Sequence, residues 1–332
     1  MPDRLIDRRP VVAAEALIAN LVPPPLFAAV RLDTYRPDPD EPSQSAAVNA
    51  LRDFAHTVGT PVERTGLFRR RREATGPAGI YLDGGFGVGK THLLASLWHA
   101  VPGPKAYVTF MELTQLAGAL GFATVIEQLS RMRLLAIDEF ELDDPGDTVL
   151  VSTLLARLDA AGVRFAATSN TLPDRLGAER FAALDFLREI QAMAARFDAI
   201  RVDGPDYRHR GLPAAPKPLA SADVAAAAGR PGASLDDFTA LTEHLASLHP
   251  SRYGALVDGV ALLGLTDVTP AADQNVALRL VVLADRLYDR QIPVVTSGCA
   301  LDQLFTAEML AGGYRKKYRR AISRLIALAR LA

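Results

Sequence analysis

Eight consecutive residues, Gly84-Gly85-Phe86-Gly87-Val88-Gly89-Lys90-Thr91, fit the pattern G-x-x-x-x-G-K-[ST] in full. Each residue type suits a polyphosphate. Glycines let the loop turn its backbone N–H groups inward around phosphate oxygens. The helix that follows offers unpaired N–H groups and the positive end of its dipole to an anion. Lys90 can reach the β- and γ-phosphates, and the Thr91 hydroxyl can coordinate magnesium. His92 follows and is expected to pack near the phosphates. The ligands this predicts are ATP and Mg2+.

A second run, Leu134-Leu135-Ala136-Ile137-Asp138-Glu139, is an apolar strand that ends in two acids. Ligands of open α/β sheets bind at the C-terminal ends of strands. Asp138 is therefore expected to hold the metal through water, and Glu139 to act as general base on the attacking water. The extra glutamate favours hydrolysis over transfer to a small acceptor. Thr168-Ser169-Asn170 closes the next strand, where Asn170 can bond both the γ-phosphate and that water.

These groups need a scaffold that brings strand ends together. The pattern alternates strand and helix: strands at 79–82, 106–110, 134–137, 163–167 and 199–202, helices at 90–101, 111–131, 145–160 and 180–196. Val149, Leu150, Leu154, Leu155 and Leu158 recur at helical spacing. Such alternation predicts an α/β fold, a parallel sheet between helices. A short helix and the break Pro23–Pro25 come first, and Ser43 is placed to cap a helix over 44–56. Residues 211–233 are Ala-rich and read as a linker. Beyond them the pattern predicts helices at 276–288 and 318–331 around a strand at 292–296. The division expected is an N-terminal segment 1–44, a P-loop core 45–205, and a mainly helical C-terminal region 206–332 that completes the module.

Composition narrows the classes. The 332 residues are 49% hydrophobic and 23% charged, with net charge -1. A general electrostatic affinity for nucleic acid is disfavoured. Cys299 is the one cysteine, so no internal disulfide forms, and a reducing compartment, most simply the cytoplasm, is expected. No run of about 18 apolar residues predicts a membrane span. The six histidines, at 56, 92, 99, 209, 244 and 249, show no metal-ligand spacing.

Four segments resemble the AAA+ ATPases, and within them the ZapE/Afg-type family of division-associated and mitochondrial inner-membrane-associated ATPases. They are Gly79-Ile80-Tyr81-Leu82-Asp83-Gly84, Asp138-Glu139-Phe140, Ala167-Thr168-Ser169-Asn170 and Asp206-Tyr207-Arg208. Arg286-Leu287-Tyr288-Asp289 and Ser323-Arg324-Leu325 agree. The resemblance implies self-association in a ring, a hexamer, with ATP between neighbours and an arginine finger supplied across the interface. Arg180 and Arg188 are the finger candidates, with Arg180 preferred. It also implies a γ-phosphate-sensing arginine, matched by Arg320 and Arg324 in the closing Arg-x-x-Ser-Arg-Leu pattern. Tyr35 and Gln44 fall where the family leads into its first helix, near the adenine. The chain departs from the family at Glu141-Leu142-Asp143-Asp144, where Gln-Val-Thr-Asp is usual, and lacks the closing Met-Gln-Ser.

The work implied is protein remodelling at the division machinery, with a client such as a cytoskeletal filament. Two other readings remain open. The basic runs Arg69–Arg72 and Arg315–Arg320 suit a helicase-loader-like ATPase on DNA, or peripheral contact with anionic lipid. A nucleotide-dependent scaffold that hardly turns over is the other.

Overall fold

The computed structural model describes residues 3–11, 14–59, 77–85, 87–142, 145–173, 176, 186–204 and 215–332. The chain forms two compact units. One comprises Ala14–Pro23 and Phe27–Arg210, the other Met1–Ala13, Pro24–Leu26 and Gly211–Ala332.

The larger unit runs α1 (Ala14–Ala19), α2 (Pro42–Gly59), β1 (Gly79–Gly84), α3 (Lys90–Ala100), β2 (Lys105–Thr109), α4 (Phe110–Leu120), α5 (Phe122–Leu129), β3 (Leu134–Asp138), α6 (Pro145–Ala161), β4 (Arg164–Ser169), α7 (Leu187–Ala194) and β5 (Phe197–Val202). Among the described residues its sheet has five strands in the order β2-β3-β4-β1-β5. Every pairing is parallel, with Ile80 opposite Ala166, Ala166 opposite Ala136, and Ala136 opposite Tyr107. This is the expected parallel sheet between helices.

Successive strand residues point to opposite faces, so each face builds its own core. Tyr81, Val108, Ile137, Phe165 and Ala167 pack with α4, α5 and α6 on one side. Ile80, Leu82, Tyr107, Ala136 and Ala166 pack with α2 and α3 on the other. Tyr81, Phe140 and Phe197 meet edge to face at 5.7–6.2 Å between centroids. Such pairs contribute about 0.5–1.5 kcal/mol each beyond their buried area.

Three local expectations change. The helix anticipated over 111–131 divides at Gly121, whose φ of 80° ends α4 and starts α5. That value lies in the region L-residues avoid. Thr109, not Met111, sets where α4 begins: its hydroxyl accepts from the Glu112 N–H at 3.2 Å, and the Glu112 carboxylate accepts from the Thr109 N–H at 2.8 Å. Ser43 lies inside α2 rather than capping it, and its hydroxyl accepts from the Asp203 N–H at 2.9 Å.

The smaller unit contains α8 (Ser221–Ala227), β6 (Ala233–Asp237), α9 (Phe238–Ser247), α10 (Tyr253–Leu256), β7 (Leu262–Val268), α11 (Gln274–Asp289), β8 (Val294–Gly298), α12 (Ala307–Ala311) and α13 (Arg315–Ala329). It is mainly helical around a three-stranded parallel sheet, β6-β7-β8. The N-terminal residues dock here. Leu5 is fully buried, and the Asp236 carboxylate accepts from the Leu5 and Ile6 N–H groups at 2.9 and 3.1 Å. Among the described residues, no helix is long and apolar enough to cross a membrane.

Candidate active site

Parallel strands carry all their C-terminal ends to one edge of the sheet. Since β4 lies between β1 and β3, the loop after β1, the acids after β3 and the polar turn after β4 must be neighbours. Lys90 opens α3 behind Gly89, which has a φ of 89°. Its ammonium donates to the Gly84 carbonyl at 2.7 Å, to the Gly85 carbonyl, and to Asn170 Oδ1 at 2.9 Å. The Thr91 hydroxyl donates to Asp138 Oδ1 at 3.3 Å. Thus the geometry brings together Lys90, Thr91, Asp138 and Asn170, with Glu139 next in the chain.

Asp138 is nearly buried, yet its carboxylate is well supplied. Thr168 Oγ1 also donates to Oδ1, and the Tyr107 hydroxyl donates to Oδ2 at 3.0 Å. Both donors come from flanking strands and fix the carboxylate's orientation. Oxygen donors from Thr91 and Asp138 suit a hard cation such as magnesium, which usually keeps several waters and takes phosphate oxygens as well. Among the described residues, no set of three His, Cys, Asp or Glu is grouped to hold a metal unaided.

Glu139 has a φ of 55°, a left-handed backbone that is uncommon for a non-glycine residue. Its N–H donates to Thr168 Oγ1 at 3.1 Å, and the next N–H, of Phe140, donates to the Thr168 carbonyl at 2.7 Å. Such a conformation costs on the order of 1–3 kcal/mol and persists where neighbours enforce it. Thr168 therefore does two things at once, orienting Asp138 and holding the turn at Glu139.

Tyr35 supports the loop from the side. Its hydroxyl donates to the Val88 carbonyl at 2.8 Å, and its ring lies against Gly89 and, edge-on, against His92 at 5.6 Å. His92 Nε2 lies 3.1 Å from the Thr34 hydroxyl. Burial holds the imidazole's pKa below its ordinary value, which favours the neutral ring. Gln44 is buried and clasps two segments: Oε1 accepts from the Asp38 N–H and Nε2 donates to the Asp203 carbonyl, both at 2.8 Å.

The arginines are placed differently. Arg188 is exposed on α7. Arg320 and Arg324 belong to the smaller unit, where both guanidiniums donate to Asp285 of α11. Phe86, Arg180, Asp206-Tyr207-Arg208 and the run Arg69–Arg72 lie outside the described residues. Tyr107 and the double role of Thr168 escape a reading of motifs alone. The signal was a hydroxyl-bearing residue inside an otherwise apolar strand, on each side of Asp138.

A family model described as AFG1-like ATPase matches residues 11–230 and 218–331, nearly the whole chain. The chain belongs to the AFG1-like ATPase family. The cell division protein ZapE of Escherichia coli K12 is 31% identical over 179 residues, 50% of this chain and 48% of that protein. ZapE of E. coli O157:H7 matches to the same extent. The matched region thus spans about half the length of these curated relatives. Among solved structures, DnaI is 17% identical, covers 55% of this chain and 93% of its own, and has a TM-score of 0.42. Domain III of the Thermotoga maritima replication initiator DnaA is 18% identical, with 55% and 69% covered and a TM-score of 0.40.

Gly89→Ala tests the loop in this AFG1-like chain. A Cβ there would lie 2.7 Å from the Tyr35 ring, on a backbone that costs an L-residue about 1–2 kcal/mol. The expected result is about a tenfold loss of ATP affinity, read by titrating a fluorescent ATP analogue. Parental affinity would show that the left-handed turn is dispensable.

Proposed function

We propose that this chain hydrolyses ATP to ADP and phosphate, with magnesium, as a subunit of a ring whose sites lie between neighbours. The observation that carries this is the convergence of Lys90, Thr91, Asp138 and Asn170 at one sheet edge, with Glu139 beside them. Lys90 exchanges its carbonyl partners for β- and γ-phosphate oxygens when nucleotide enters. Thr91 and Asp138 would hold magnesium, which would supply charge neutralisation at the phosphates when bound. Asn170 aligns the attacking water, and Glu139 takes its proton as the oxygen attacks. An arginine of the neighbour, Arg180 or Arg188 by position after Asn170, meets the charge that spreads over the transferred group. Arg320 and Arg324 are the sensing candidates from the C-terminal region.

The work coupled to hydrolysis is inferred from the similarity to ZapE: remodelling or handing over a protein of the division machinery in the cytoplasm. A shared site makes turnover depend on assembly. ATPase activity per subunit is expected to rise with protein concentration until the ring is populated, then level off. Activity that stays flat across the range, with the chain monomeric by light scattering, would sink the shared-site reading.

A further inference from the structure

The structure gives the Glu141 carboxylate three donors on the turn that ends β4. Oε1 accepts from the Ser169 hydroxyl at 2.9 Å and from the Asn170 N–H at 3.0 Å. Oε2 accepts from the Thr171 hydroxyl at 3.0 Å. The turn is closed further by the Thr171 N–H, which donates to Ser169 Oγ at 3.0 Å. From the core side, the Tyr81 hydroxyl donates to the Thr171 carbonyl at 2.7 Å. We infer that Glu141 is a positioning residue: it fixes the Ser169-Asn170-Thr171 turn and so sets the Asn170 side chain against Lys90.

Glu139 turns through its left-handed backbone, Phe140 drops into the core with no exposed surface, and Glu141 meets the β4 turn. Four consecutive residues thus carry the metal-side carboxylate, the proposed base, an apolar anchor and the clamp on the proposed water-orienting residue. Hydrogen bonds to a carboxylate are roughly twice as strong as neutral ones, so three of them hold the turn closely. Placement at this level matters, since an error of about 1 Å in a reacting group can lower a rate on the order of a hundredfold.

This inference rests on the proposed hydrolysis, and the experiment separates the two. Steady-state ATPase and equilibrium ATP binding are measured for the parent, Glu141→Ala, Glu141→Gln, Asn170→Ala and the double variant Glu141→Ala/Asn170→Ala. Glu141→Ala is expected to lower kcat about 10- to 100-fold while KM and ATP affinity change less than about twofold. Glu141→Gln keeps an acceptor for Ser169 and the Asn170 N–H, and should return to within about threefold of the parent. The double variant should be no worse than Asn170→Ala, because both changes remove one function. Multiplying effects in the double variant, or parental kcat in Glu141→Ala beside a crippled Asn170→Ala, would overturn the role of Glu141 alone. Parental kcat in Asn170→Ala would overturn the water-orienting reading and this inference with it. Should Glu141→Ala misfold, Thr171→Val removes one donor and keeps the carboxylate: a loss of about threefold in kcat at unchanged ATP affinity supports the clamp. Parental kcat in Thr171→Val refutes it.

Discussion

Glu139→Gln is expected to cut ATP turnover about 10²- to 10³-fold while leaving ATP affinity near that of the parent. The size follows from what a positioned general base contributes, about 10²–10⁴-fold. The selectivity follows from the backbone. The left-handed turn at residue 139 is held through the peptide N–H and Thr168. An amide of the same shape keeps that N–H and removes the group that takes the proton. Phosphate release read by a coupled assay gives the turnover, and a fluorescent ATP analogue gives the affinity. Turnover within about threefold of the parent would exclude Glu139 as the base. Lost binding would mean that Glu139 serves the loop, not the chemistry.

The second large effect is on stability. Asp285 receives Arg320 Nη2 at 2.8 Å and also the Arg324 guanidinium, which lies over the Tyr288 ring at 5.2 Å. Side-chain exposures are 15% for Asp285 and 19% and 22% for the arginines, too low for water to screen the triad fully. Burial by itself would raise the Asp285 carboxyl, but the charges of Arg320 and Arg324 outweigh it and hold the group below its ordinary value. Asp285→Ala removes the carboxylate that both guanidiniums share between α11 and α13. Breaking a buried pair costs about 3–5 kcal/mol. For a unit of this size that lowers the melting temperature by on the order of 10 °C.

The same carboxylate sets a dependence on acid. Its pKa is lower folded than unfolded, so its contribution is complete above the unfolded value of about 3.9 and is lost as pH falls through the folded value. Melting curves of the parent and Asp285→Asn should therefore differ most near neutrality and converge below about pH 4. A gap that is constant from neutral to acid would show that shape, not charge, holds α11 to α13.

The site was legible where spacing alone implies adjacency. Gly84–Thr91, Asp138-Glu139 and Asn170 follow three strands that lie side by side, and in a parallel sheet their ends meet without further instruction. The hydroxyls of Tyr107 and Thr168 were not legible as ligands of Asp138, because which face of a strand looks at which neighbour depends on register. Glu141 was noticed only as a departure from a family pattern; its meaning needed the β4 turn. Asp285 was missed by one position, since Arg286-Leu287-Tyr288-Asp289 drew attention and the residue just before it did not. The strands Ala233–Asp237 and Leu262–Val268 went unassigned for opposite reasons. The first is short and half polar. The second is mostly apolar, but Gly264 and Asp267 blur its pattern.

The docking of the first residues has a consequence for synthesis. Leu5 and its partner Asp236 are separated by 231 residues, and the whole larger unit lies between them in the chain. At roughly 5–20 residues per second, a ribosome needs roughly ten to fifty seconds to supply Asp236 after Leu5. During that time the leucine has no slot to fill and its N–H has no carboxylate to meet. The segment that begins the chain is thus among the last to find its place, and the nucleotide-binding core is made, and free to fold, before the smaller unit can close.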